Sequence, residues 1–123
     1  MSTANPAAEV LVVDDDPTIL AAFRRVTKDL HIRLRLARSA EEALSFLSEE
    51  TPAVVISDYR LPGLDGVSFL ERVREVNPSV KRLLFTGEAV WRTSIGIDIP
   101  VLGKPCSPQA LRELIVSLTQ TNA

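Results

Sequence analysis

The sequence has one cysteine, Cys106, so it forms no internal disulfide, and a reducing cytoplasm is the simplest compartment for it. It has one histidine, His31, far from Cys106 along the chain and with nothing near it that suggests a phosphodonor. Cys106 therefore reads as a small, partly buried hydrophobe and not as a nucleophile. No stretch approaches the ~18 apolar residues of a membrane span. The first ten residues contain no lysine, arginine or apolar core segment and are not expected to act as a secretory signal. Basic runs are absent and the net charge is -2, so nucleic-acid binding by this chain has little support. Repeats, low-complexity segments and internal linkers are missing as well.

The 123 residues that are present suit one domain, and 46% of them are hydrophobic, enough for a real core. Residues 1–8 are small and polar and are expected to fray, 9–119 form the domain, and 120–123 are a polar tail. The chain is organised around Val54-Val55-Ile56-Ser57-Asp58, a short apolar strand that runs into an acid and then a Pro62-Gly63 turn. Val10 to Val13 has the same design and runs into Asp14-Asp15-Asp16. Asp16 before Pro17 reads as an N-cap, opening a helix to about Asp29 with Ile19, Leu20, Phe23 and Val26 at helical spacing. Leu34 and Leu36 alternate with Arg33 and Arg35 in a second strand. Ser39 to Glu42 matches a capping box at the start of a second helix. Asp65 caps a third helix with Val67, Leu70 and Val73 inward. Lys81 to Phe85 is the fourth strand, ending at Thr86-Gly87-Glu88. Residues 89–99 show little helical periodicity and are expected to hold one short turn at most. Pro100 to Gly103 is the fifth strand, and Ser107-Pro108 opens the last helix.

Five strands alternating with helices imply an α/β fold: a parallel sheet with helices on both faces, joined by right-handed crossovers. With the first strand central, the order is 2-1-3-4-5, the flavodoxin-like doubly wound scheme, with its switch point between strands one and three. Those two strands end in acids. The C-terminal rim thus collects Asp14, Asp15, Asp58, Thr86 and Lys104. Acids so close repel one another, and at least one pKa should rise unless a counter-ion intervenes. Mg²⁺ suits such oxygen ligands and leaves room for phosphate oxygens. Lys104 and Thr86 add a cation and a hydroxyl that could hold a phosphoryl group, with one carboxylate as nucleophile giving an acyl phosphate. Any one of these residues alone is more often a cap, a turn or a solvated charge; their common placement at strand ends weakens that reading.

With these residues the sequence resembles the receiver domains of two-component response regulators over about Glu9 to Thr119. The resemblance rests on Val12-Val13-Asp14-Asp15, on Ser57-Asp58 with Pro62-Gly63 and Asp65-Gly66, on Phe85-Thr86-Gly87 and on Lys104-Pro105. It implies that Asp58 accepts a phosphoryl group from a histidine kinase or histidine phosphotransfer protein. It further implies that Mg²⁺ (or Mn²⁺) is held by Asp15 and Asp58, by the backbone carbonyl of Arg60, and by Asp14 through water. Thr86 would hydrogen-bond the phosphoryl group, Lys104 would pair with it, and the Lys104–Pro105 bond would be cis. The output would go to a downstream protein or to an attached output domain, with no membrane partner and no catalysis beyond the domain's own phosphorylation and dephosphorylation. Three features stand apart: Val101 where the family often has an aromatic, a short 86–104 stretch that shortens or removes the usual fourth helix, and Arg60 with Glu88 at variable positions. Trp91, the only tryptophan, is either a reporter of switching or an apolar plug.

Two other classes compete. Asp14-Asp15-Asp16-Pro17-Thr18 fits the signature of haloacid-dehalogenase-like phosphatases, with Asp14 as nucleophile and Asp16 as general acid/base, but that leaves Asp58 unused. A receiver fold serving as an unphosphorylated scaffold has no need of acids that repel. A flavodoxin-type FMN site would want a Ser/Thr/Gly-rich loop where this chain has three acids.

Overall fold

The computed structural model describes residues 7–87, 99–104 and 106–120. Its elements are β1 (Ala8–Val13), α1 (Pro17–Thr27), β2 (Ile32–Ala37), α2 (Ala40–Leu47), β3 (Val54–Ser57), α3 (Gly66–Val76), β4 (Lys81–Thr86), β5 (Val101–Gly103) and α4 (Pro108–Thr119). The sheet order is β2-β1-β3-β4-β5 and every pairing is parallel, which is the expected doubly wound arrangement.

The central strands carry unbroken apolar runs, Val10 to Val13 in β1 and Val54 to Ile56 in β3, because helices cover both of their faces. On one face α2 and α3 pack Ala40, Ala43, Phe69, Leu70 and Val73 against Leu11, Val13, Val55 and Leu84. On the other, α1 and α4 pack Phe23, Val26, Leu111 and Ile115 against Val10, Val12, Ile56, Leu83 and Phe85. The Phe23 and Phe85 rings meet edge to face, centroids 5.7 Å apart. Phe69, absent from the expected inward stripe of α3, is fully buried, whereas Val67 is only half-buried. The first helix ends at Thr27, short of Asp29, and the Thr27 hydroxyl bonds back to the Phe23 carbonyl at 2.8 Å.

The helix starts follow from their caps. The Asp16 carboxylate accepts from the Thr18 amide at 2.9 Å, Asp65 from Ser68 at 2.9 Å, and the Ser107 hydroxyl from Ala110 at 3.1 Å. At α2 the Ser39 hydroxyl accepts from the Glu42 amide, but the Glu42 carboxylate returns to the Arg38 amide, one residue before the cap. The stretch expected to carry a shortened helix lies outside the described residues except for Ile99. Glu88, Trp91 and Pro105, with the 104–105 peptide, also lie outside them. Among the described residues no helix is long and apolar enough to cross a membrane.

Candidate functional site

Register brings the acids together. Val13 of β1 stands between Ala37 of β2 and Ser57 of β3. The ladder then runs one residue past the strands: the Asp14 amide donates to the Ala37 carbonyl and the Asp58 amide to the Val13 carbonyl, both at 3.0 Å. Asp14 and Asp58 therefore leave the sheet side by side with their backbones pinned. Asp14 stays buried while Asp15, the next residue, is exposed, and the three carboxylates can place oxygens within 4.8 Å of one another. On the far side of the rim, the Lys104 amide donates to the Thr86 carbonyl at 3.0 Å, which fixes the lysine at the end of β5.

The Lys104 ammonium lies 2.8 Å from an Asp14 carboxylate oxygen and 3.3 Å from one of Asp58. Its stem passes the Phe85 ring, with Nζ 5.5 Å from the centroid. The Asp14 side chain is 2% exposed, Asp58 13% and Lys104 20%. Burial pushes the Asp14 carboxyl above its usual range; the bonds from Lys104 and the Asp16 amide oppose this without cancelling it, and Asp58 adds to the rise. Burial alone would lower the Lys104 ammonium, but Asp14 and Asp58 outweigh it and the net shift is upward. A single monovalent cation thus leaves the acidic cluster under-compensated. The remaining oxygen of Asp58 accepts from the Tyr59 amide at 2.7 Å, which sets the carboxylate's rotation. Thr86 is buried at the end of β4, and Arg60 is exposed in the turn just beyond Asp58.

The structure thus brings Asp14, Asp15, Asp58 and Lys104 into one cluster, with Thr86 at the end of β4, its carbonyl accepting from the Lys104 amide. Asp16 does not join it as a free acid: its carboxylate is engaged in capping α1. Gly87 is exposed, and a Cβ there would meet Lys104 at an ordinary 3.7 Å, so packing does not demand glycine. Gly66 is different. A Cβ on Gly66 would run into the carbonyl oxygen of Asp58 and approach Tyr59 Cα at 3.0 Å, while its amide donates to the Tyr59 carbonyl at 2.7 Å. The first residue of α3 therefore presses on the backbone of Asp58. In the sequence Gly66 stands out only as part of the Asp65-Gly66 motif. An acid followed by glycine at a helix start was the available signal, and it does not reveal a contact across the loop.

A doubly wound sheet with carboxylates and a lysine at the carboxyl ends of its central and outer strands matches one known class of domain over nearly the whole chain. Residues 10–116 match the response regulator receiver domain family, and the chain belongs to it. It is 42% identical over 80 residues to the hydrogenase transcriptional regulatory protein HoxA of Cupriavidus necator, a match covering 65% of this chain and 16% of that protein. It is 31% identical over 117 residues to response regulator Rre1 of Synechocystis, covering 89% of this chain and 50% of that one. The chain therefore spans half or less of these curated relatives. Among solved structures, the signal receiver domain of an HD domain-containing protein from Pseudomonas fluorescens superposes with a TM-score of 0.85 at 29% identity, covering 97% of this chain and 91% of the other. The chemotaxis response regulator CheY4 of Vibrio cholerae gives 0.79 at 25% identity over 91% of this chain and 98% of the other. The chain is a receiver domain of two-component response regulators, and nothing in these likenesses favours a haloacid-dehalogenase-like phosphatase.

Proposed function

We propose that this receiver works by phosphorylation of Asp58, with Mg²⁺ or Mn²⁺ held by Asp15, Asp58, the Arg60 carbonyl and, through water, Asp14. The observation that carries the reading is the under-compensated cluster: carboxylates from two adjacent strand ends, one of them buried and raised in pKa, facing one lysine. The donor set fits a hard divalent cation, since it is all oxygen and partly open to water. Such an ion, when bound, neutralises the acids and the incoming phosphate.

The residues of the chain do the rest. An Asp58 oxygen attacks the phosphorus of a phosphohistidine; the P–N bond breaks as the O–P bond forms, and the imidazole leaves. The Tyr59 amide and the pinned Asp58 backbone hold the nucleophile in place before the reaction. Lys104 exchanges its pairing with Asp14 and Asp58 for one with the phosphoryl oxygens, a charge-assisted contact. The Thr86 hydroxyl supplies a neutral donor at the same group. The domain acts on no substrate but its own carboxylate. The phosphoryl source is a cytoplasmic histidine kinase or histidine phosphotransfer protein, and the output is read by a downstream protein or an attached output domain.

The test is intact mass after incubation with Mg²⁺ and a small acyl-phosphate donor. Wild type should gain one phosphoryl group, labile to hydroxylamine, and Asp58→Asn should gain none. A hydroxylamine-resistant adduct would contradict the reading.

A further inference from the structure

The edge strand β2 is treated differently on its two faces. On the α2 face every cation is engaged: Arg33 pairs with Glu50 at 3.1 Å, and Arg35 pairs with Glu9 and Glu49 at 3.5 and 3.4 Å and lies over the Phe46 ring. On the α1 face, Ile32, Leu34 and Leu36 are only half-buried. Among the described residues α1 and α4 are the two helices on that side of the sheet, and α1 packs against both β1 and β2 but leaves Ile32, Leu34 and Leu36 only partly covered.

The space left is a groove with an apolar floor. It has two adjoining parts of about 330 and 320 Å³ that share Arg24 and Leu36. One wall is a single stripe of α1, in which Leu20, Arg24, Thr27 and Lys28 recur at helical spacing. The other is the α1-facing side of β2, continued by Arg38. Arg24, Lys28 and Arg38 stand on the rim, and among the described residues none of them has an acidic side chain within ion-pair distance. The acid lining the groove, Glu42, already accepts from the Arg38 amide. Unpaired cations around an apolar floor complement acidic groups around an apolar ridge. The stripe from Pro17 to Lys28 is about 17 Å long at the helical rise, three turns of a partner helix.

We propose that this groove docks an acidic amphipathic helix of a partner protein, which takes the position of a third helix in the row beyond α1. Its leucines or isoleucines cover Ile32, Leu34 and Leu36, and its carboxylates meet Arg24, Lys28 and Arg38. The surface is separate from the Asp58 rim chemistry, so the proposal stands or falls independently of phosphorylation.

The probe is a fluorescein-labelled peptide of about four helical turns with leucine at i, i+3, i+4 and i+7 and glutamate at most other positions. Titrated with the full chain, it should give saturable anisotropy, and amide shifts should cluster in α1 and β2. The double variant Arg24→Glu, Lys28→Glu changes exposed positions and should keep the wild-type melting temperature while weakening binding by about tenfold or more. The same peptide with lysine for glutamate should prefer the double variant. Leu34→Ser provides a second variant that should weaken binding through the floor alone. Equal binding of a peptide with the same composition in scrambled order would overturn the proposal, as would shifts centred on α4 or on the Asp58 rim. Sedimentation of the chain alone supplies the remaining outcome: a dimer abolished by the double variant would assign the groove to a second copy and overturn it too.

Discussion

Replacing Gly66 with alanine is the sharpest structural perturbation of the site that touches none of the groups that react. Its amide nitrogen and the Asp58 backbone are locked together by the bond to the Tyr59 carbonyl, and no flexible side chain lies between them to give way. The backbone conformation at Gly66 is an ordinary helical one, so the glycine is required for space and not for a positive φ. An added methyl needs a backbone displacement on the order of an ångström, either of α3 or of Asp58. Overpacking of a rigid site costs about 1–3 kcal/mol, and the involvement of main chain on both sides points to the upper end. For a domain of this size that lowers the melting temperature by about 10 °C. If part of the displacement falls on Asp58, the carboxylate leaves its aligned position, and an error of about 1 Å in a reacting group costs about a hundredfold in rate. The assays are thermal melting by circular dichroism and the rate of phosphorylation by an acyl-phosphate donor at saturating Mg²⁺. Gly63→Ala is the control: Gly63 has φ 78°, and its added methyl would meet the flexible Glu41 carboxylate at 3.3 Å. It should cost about 1–2 kcal/mol of left-handed strain and leave the phosphorylation rate close to wild type. A Gly66→Ala protein that melts within about 2 °C of wild type and reacts at the wild-type rate would refute the packing argument.

Three further outcomes follow from the charges. Mg²⁺ should raise the melting temperature of wild type by relieving repulsion among Asp14, Asp15 and Asp58, and Asp15→Asn should blunt the response; equal responses would remove Asp15 from the ligand set. Asp14 has a folded pKa above its ordinary 3.8, so between 3.8 and that folded value the native state binds more protons and stability falls as pH rises. Denaturant midpoints measured without divalent cations should therefore show Asp14→Asn gaining on wild type across that window, then a constant difference at neutral pH. Lys104, raised above 10.5, contributes stability that is present below 10.5 and lost as pH climbs through its folded value. Lys104→Ala should accordingly be destabilised by roughly 1–3 kcal/mol without Mg²⁺, less than a fully buried pair would lose, and should show a larger stabilisation by Mg²⁺ than wild type.

The rim was legible in the sequence because a buried parallel strand must place whatever follows it at the sheet's edge. Apolar runs ending at Asp14, Asp58 and Thr86 therefore located the cluster before any geometry was known. Caps were legible for the same local reason, and Asp16, Ser39, Asp65 and Ser107 each bond the expected amide or one beside it. What escaped were contacts made across the chain. Gly66 against Asp58 depends on how tightly the β3–α3 loop closes, which composition does not encode. The alternation of Leu34 and Leu36 with Arg33 and Arg35 was legible as two faces. That Glu9, Glu49 and Glu50 would engage the arginines, leaving the leucines beside a cationic rim, needed the fold. Glu9 is buried near the start of β1, and burial first, then Glu50, holds its carboxyl above the ordinary range.

The central claim is that Asp58, and not its neighbours Asp14 and Asp15, carries the phosphoryl group. Borohydride reduction of the phosphorylated chain converts an aspartyl phosphate to homoserine, and peptide mapping locates the change. The account predicts homoserine at position 58 alone, formed only when Mg²⁺ or Mn²⁺ was present during phosphorylation. Homoserine at position 14 or 15, or at 58 with the divalent cation chelated throughout, would contradict it.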